Sequence, residues 1–143
     1  TELGAGSIPT GRILQVEGTP MDLRSGKRVG DEIDADFGQL TLTGGYDHNW
    51  VLQNHGNLEK VAQVEDDASG IVMDAYTDLP GVQFYAGNFI TPQKGKDGVS
   101  YGKRQALCLE MQYFPDSIHH PEFPQPVFDA GQHYHASAIY KFR

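Results

Sequence analysis

Turn-forming residues interrupt this chain at short intervals. Its 143 residues include 17 glycines and 8 prolines, and this density favours many turns and short strands over long helices. Between the turns, apolar and polar residues alternate with a period of two, as in GVQFYAGNF at 81–89. The spacing of Ile33, Phe37 and Leu40 predicts one short helix or helical turn at most. The sequence therefore predicts an all-β fold.

The runs between the turns predict individual strands. Single strands are predicted at 39–43, 49–53, 81–89, 107–112 and 133–142, with a long loop at 91–105. Two further runs, 58–66 and 70–78, flank Asp67-Ala68-Ser69 and predict a hairpin. Such strands bury one face by packing sheet on sheet, so we expect an antiparallel β-sandwich. No linker or shift in composition divides the chain, so we expect residues 1–143 to form a single all-β domain.

Composition argues against several classes of function. The formal charge of −8 argues against a nucleic-acid partner, because such binding relies on clustered Lys and Arg. No apolar run approaches the roughly 18 residues of a membrane span, so no membrane partner is expected. Cys108 is the only cysteine, which excludes an internal disulfide and favours a reducing, cytoplasmic compartment. The opening lacks a signal-peptide pattern and begins with Thr1, so we expect a chain trimmed from something longer.

Glu110 is the most conspicuous polar residue in a predicted strand. It lies within LCLEMQYFPD at 107–116, where alternation places it on one face with Cys108 and Gln112. A carboxylate in the middle of a strand is unfavourable if it is buried without a partner. Two interpretations stay open. In the first, Glu110 is a structural carboxylate that is either solvated or neutralised by an arginine such as Arg104. In the second, it is a general acid or base held in a cleft.

Two other polar residues occur beside aromatic strand residues. Asp47 in GGYDHNW either caps its own turn or binds a ligand against a wall formed by Tyr46 and Trp50, although single aromatics in strands more often belong to the core. Gln83 points to the opposite face of its predicted strand from Phe84. A glutamine on such a face is most often simply exposed, and the alternative is an amide that binds a ligand.

The histidines suggest a second kind of site. His133 and His135 form an H-x-H pair on the predicted closing strand, and a cupin-like metal site would need such a pair with a third histidine and a carboxylate. His119, His120 and Glu122 offer further ligands. The chain ends eight residues after His135 without a downstream acidic ligand, so surface histidines and no bound metal are the favoured interpretation.

Five segments together carry a family resemblance that covers nearly the whole chain. They are IPTGRILQVEGTPMDLR at 8–24, GGYDHNWVL at 44–52, DLPGVQFYAGNF at 78–89, LCLEMQYFPDSIHHPEFP at 107–124 and DAGQHYHASAIYKF at 129–142. In this order they resemble the C-terminal part of the aldose 1-epimerases, or galactose mutarotases. The resemblance implies the C-terminal half of a large antiparallel β-sandwich. It also implies an isomerase that interconverts the α and β anomers of free hexoses such as galactose and glucose, with neither metal nor cofactor.

The resemblance also implies roles for three residues. Glu110 matches the catalytic base, Asp47 an aspartate that binds a sugar hydroxyl, and Gln83 an amide that contacts the substrate. The acid histidine of the family belongs to an N-terminal half that has no match here, so the expected partners are a monosaccharide and a preceding segment or companion chain. A non-catalytic sugar-binding module is the alternative function.

The sequence departs from the family pattern beside the implied site. Met111, Tyr113 and His119 stand where Thr, His and Asn are common in the family. These departures bear on substrate preference more than on the type of reaction.

Overall fold

The computed structural model describes all residues from 1 to 143. Two short helices and eight strands form its main elements. In chain order they are α1 (Val29–Glu32), α2 (Gly38–Thr43), β1 (Asp47–Val51), β2 (Glu59–Glu65), β3 (Val72–Thr77), β4 (Gly81–Tyr85), β5 (Gln93–Lys94), β6 (Ser100–Tyr101), β7 (Cys108–Gln112) and β8 (Ala138–Phe142). Every strand pair is antiparallel, which confirms the all-β class.

The first sheet has the strand order β1-β4-β7 and carries an apolar face. Strand alternation places on that face His48, Trp50, Val82, Phe84, Leu109 and Met111. Tyr46, which is fully buried just before β1, stacks on Phe84 with 5.3 Å between ring centroids. Trp50 packs against the same core cluster, and its indole donates a hydrogen bond to the carbonyl of Met21 at 3.0 Å. Tyr46 and Trp50 therefore belong to the core and form no ligand wall.

The second sheet has the order β2-β3-β8. Its first two strands form the predicted hairpin, with one irregularity between Lys60 and Ala62. Asp74, in the middle strand, is only 6% exposed. Its carboxylate accepts hydrogen bonds from Nζ of Lys60 at 3.3 Å and from Nε of Arg143 at 3.4 Å. These two cations offset the burial of its charge.

The predicted strand at 39–43 is wrong, because these residues form helix α2. In a strand, Leu40 and Leu42 would share one face, whereas the structure leaves Leu40 only 1% exposed and Leu42 42% exposed. The helix ends at Gly44, which has φ +62° and whose N–H donates to the carbonyl of Leu40. A left-handed glycine is a common helix terminator. The region thus contains two short helices where at most one was predicted.

Two other segments differ from their predicted structure. The loop at 91–105 contains the small hairpin of β5 and β6. The closing strand begins at Ala138 rather than at residue 133. His133 and His135 therefore lie in an irregular, exposed segment, so the argument that strand alternation aligns them on one face does not hold. None of the helices has both the length and the apolar character to cross a lipid bilayer.

Candidate functional site

A polar face lies on the side of the first sheet opposite the apolar core. Residues paired directly across antiparallel strands point to the same side of a sheet, so the register of β1, β4 and β7 defines the members of this face. The polar face carries Asp47, Asn49, Gln83, Tyr85, Cys108, Glu110 and Gln112. All three residues to which the family resemblance gives a role are among them.

Glu110 and Gln83 are direct neighbours on the polar face. Gln83, on the middle strand, pairs with Glu110 on one side and with Asn49 on the other. Because adjacent strands lie about 4.8 Å apart, one small ligand can contact Glu110 and Gln83 together. Glu110 is exposed, so residues 1–143 by themselves do not enclose it in the cleft that one of the two interpretations requires. Its carboxylate takes part in none of the ion pairs of the chain.

Arg104 does not neutralise Glu110, which was one of the alternatives that the sequence left open. The guanidinium of Arg104 donates two hydrogen bonds to the carboxylate of Asp34, at 2.6 and 2.7 Å, and a third to the carbonyl of Gly44 at 3.0 Å. The two hydrogen bonds from Arg104 to Asp34 hold the pKa of that carboxyl below its usual value. Arg104 thus anchors the long loop to the end of α2, and the charge of Glu110 stays uncompensated within this chain.

Asp47 bonds across the sheet and not to its own turn. Nε2 of Gln83 donates to Oδ1 of Asp47 at 2.8 Å, and both residues are half-buried. Because an ionised carboxylate can only accept, this contact requires Gln83 to present its NH2 group to Asp47. The hydrogen bond joins two of the predicted site residues and sets the direction of the Gln83 amide.

Asn49 also belongs to the polar face, although sequence reasoning missed it. It is 2% exposed, and its Oδ1 accepts a hydrogen bond from Nε2 of Gln112 at 3.1 Å. This contact spans the middle strand at Gly81, where a Cβ atom would overlap the Oδ1 of Asn49. The sequence feature that could have identified Asn49 is its position two residues after Asp47, because residues two apart in a strand lie on the same face.

The histidines of the chain do not join this face as a group. His48 lies on the apolar side of β1 and is 2% exposed, and burial lowers its pKa to about 4. His120 contacts the carbonyl of Pro9 at 3.1 Å, while His135 lies 3.8 Å from Asp78. No three or more His, Cys, Asp or Glu side chains are arranged to hold a metal ion, so the structure does not assemble the ligands of the cupin-like hypothesis.

Comparisons with known proteins agree with one another. The family model described as aldose 1-epimerase matches residues 1–141. The chain is 41% identical over 136 residues to mouse galactose mutarotase and 40% identical over 136 residues to the human protein of that name, in each case over 94% of this chain. It is also 39% identical over 142 residues to the aldose 1-epimerase of Escherichia coli K12, over 96% of this chain.

A solved structure supports the same relationship. The crystal structure of a GalM/aldose epimerase homologue from C. elegans matches 99% of this chain with a TM-score of 0.80 and 28% identity. The match covers 42% of that chain, and the present chain spans 38% of the mouse and human relatives and 40% of the bacterial one. The match supports the sandwich-like fold, and the chain corresponds to about two fifths of each relative.

Proposed function

This chain belongs to the aldose 1-epimerase family, and from this we propose that it forms part of an isomerase that interconverts the α and β anomers of free hexoses such as galactose and glucose. The observation that carries the proposal is the arrangement of the polar face. Glu110 lies directly opposite Gln83, and Gln83 is hydrogen-bonded to Asp47. One carboxylate is therefore free of partners beside an amide–carboxylate pair suited to sugar hydroxyls.

In the proposed reaction, Glu110 acts as the general base. Its carboxylate takes the proton from the anomeric hydroxyl while an acid protonates the ring oxygen, and the bond between the anomeric carbon and the ring oxygen breaks to give the aldehyde. Rotation about the bond to the next carbon presents the other face of the carbonyl. The reverse proton transfers close the ring as the other anomer. One base and one acid are sufficient for these steps.

We assign Asp47 and Gln83 to substrate binding. The second oxygen of Asp47 can accept a hydrogen bond from a sugar hydroxyl, and the second N–H of Gln83 can donate one. Neither group changes its protonation state in the proposed reaction. They hold the sugar in place while the bond beside the aldehyde rotates, which keeps the reacting atoms within reach of Glu110.

The acid comes from outside this chain in our proposal. A preceding segment of the polypeptide, or a companion chain, supplies it and covers the exposed Glu110. Two observations support this. The chain spans about two fifths of its relatives, and β8 leaves Ile139 47% exposed and Phe142 64% exposed. The single exposed Cys108 fits a reducing compartment, so we propose a cytoplasmic location.

Polarimetry tests the role of Glu110. The full-length polypeptide that contains this chain is mixed with freshly dissolved α-galactose or α-glucose, and the approach to the equilibrium rotation is followed. We expect Glu110→Gln to lower kcat at least about 100-fold, since general base catalysis contributes that much or more. Glu65→Gln, an exposed carboxylate in the second sheet, is the matched control and retains full activity. If Glu110→Gln equilibrates the anomers as fast as wild type, the assignment is wrong.

A non-catalytic sugar-binding module is the second candidate function. The polar face carries two carboxylates and three amides but no acid histidine, and binding alone needs no proton transfer. Saturable binding of galactose or glucose by the full-length polypeptide, with no rate of anomer exchange above that of buffer, would favour this function over the isomerase.

A further inference from the structure

Two unpartnered atoms of opposite hydrogen-bonding type lie on the polar face. Nδ2 of Asn49 and Oε1 of Gln83 are both buried, and neither has a hydrogen-bond partner. The two residues are directly opposite each other in the register of β1 and β4. The Cβ atoms of such a pair lie about 4.5–5.5 Å apart, so the two side chains are within reach of each other. One of the atoms is a donor and the other an acceptor.

The orientation of each amide is set from outside this pair. Asp47 can only accept, so Gln83 presents its NH2 group to Asp47 and turns its Oε1 away. On the other side, Nε2 of Gln112 donates to Oδ1 of Asn49, which leaves the NH2 group of Asn49 free to donate. The donors thus run in one direction, from Gln112 to Asn49 and from Gln83 to Asp47. Only the link between Asn49 and Gln83 is open.

We propose that Asn49 and Gln112 are positioning residues for substrate binding by Gln83. A small rotation of the facing side chains joins Nδ2 of Asn49 to Oε1 of Gln83 and completes an amide chain that ends on Asp47. Buried polar groups favour such a link because an unmade hydrogen bond is unfavourable, and hydrogen bonds in series strengthen one another. The completed chain holds Gln83 with its second N–H available to a sugar hydroxyl. This inference rests on the proposed function.

The amide chain can cross the middle strand because that strand has a glycine, Gly81, at the crossing point. Gly81 lies between Val51 and Gln112 in the register, and the contact from Asn49 to Gln112 passes over it. A Cβ at Gly81 would also lie 3.0 Å from the ring of Phe114. The absence of a side chain at Gly81 is therefore what allows a residue of β1 to bond with a residue of β7 across β4.

Two substitutions in the full-length polypeptide test the inference by kinetics. Asn49→Asp keeps the shape of the side chain but replaces the Nδ2 donor by an acceptor, and Gln112→Met removes the donor at the start of the amide chain. We expect Gln112→Met to raise the KM for galactose about tenfold while kcat stays within about twofold, because a group that binds ground state and transition state equally affects KM alone. Asn49→Asp should raise KM as well, and the negative charge that it adds on the face of Glu110 should also change kcat. The exposed controls Asn57→Asp and Gln63→Met should leave KM unchanged.

A spectroscopic readout separates this inference from the proposed function. In the NMR spectrum of wild type, the side-chain NH2 signals of Gln83 should exchange slowly with solvent, and both substitutions should shift them and speed their exchange. Unchanged KM values in both variants, or unchanged Gln83 signals, overturn the inference. If wild type has no epimerase activity the proposed function fails, and the Gln83 signals alone then decide whether the amide chain exists. If Asn49→Asp does not fold, the KM and the Gln83 signals of Gln112→Met alone decide whether the inference holds.

Discussion

Replacing Gly81 by alanine probes the close approach of β1 and β7 across the middle strand. The added Cβ would overlap the Oδ1 of Asn49 and lie 3.0 Å from the ring of Phe114. Neither neighbour can move away freely, because Asn49 is 2% exposed and Phe114 is 4% exposed. The φ angle of Gly81 is not in the left-handed region, so the substitution adds no backbone strain and its effect is steric.

The expected loss of stability follows from this crowding. Adding a methyl group to a filled core lowers the free energy of unfolding by about 1–3 kcal/mol. The urea midpoint should fall by this loss divided by the m-value of the full-length polypeptide, which is measured in the same experiment. Displacement of Asn49 should also raise the KM for galactose, as in Asn49→Asp.

Urea unfolding of the full-length polypeptide, followed by circular dichroism, measures the effect. Gly30→Ala is the matched control, because Gly30 lies in helix α1 with open space where its Cβ would be. We expect the control to raise the free energy of unfolding by about 0.4–1 kcal/mol, through the reduced freedom of the unfolded chain. A midpoint for Gly81→Ala equal to or above that of wild type would refute the steric reasoning.

Three further substitutions test other parts of the structure. Burial lowers the pKa of His48 from 6.5 to about 4, so the unfolded chain binds the proton first as pH falls. The free energy of unfolding of wild type should therefore decrease from pH 6.5 towards pH 4. In a plot of the urea midpoint against pH, His48→Phe should flatten this part of the curve. Arg104→Met removes the hydrogen bonds to Asp34 and should make the long loop more sensitive to limited proteolysis without unfolding the sheets. Tyr140→Phe removes the hydrogen bond of 2.5 Å from the Tyr140 hydroxyl to the carbonyl of Leu109. In a thermal melt this should lower the free energy of unfolding by about 0.5–1.5 kcal/mol. An unchanged melting temperature would mean that this contact between the two sheets contributes nothing to stability.

The faces of the site strands could be predicted from the sequence because strand alternation is a local property. A period of two is sufficient to turn Glu110 away from Leu109 and Gln83 away from Phe84. The pairing of β1 with β4 and of β4 with β7 is not local, so composition and periodicity could not align Glu110 with Gln83. Their assignment to one site depended on the family resemblance, and the structure then provided the register.

The missed features depend on contacts between distant parts of the chain. Asn49 gains its significance only from Gly81 and Gln112, which lie on two other strands. The segment at 39–43 fits a strand by its leucines, but the terminator Gly44 and burial against the core favour a helix. The sequence left open whether Glu110 is solvated or held in a cleft, because what covers a side chain depends on elements far away in sequence.

The bare backbone of Gly81 has a consequence for how the sheet assembles. If β1 slipped by two residues along β4, every side chain would keep its face, yet a residue with a larger side chain would replace glycine beneath the amide of Asn49. The contact across β4 can therefore form in one alignment of the three strands and not in its nearest competitor. A sheet with β1 misaligned would lack both this bridge and the hydrogen bond from Gln83 to Asp47, so correct assembly and the proposed sugar-binding surface arise together.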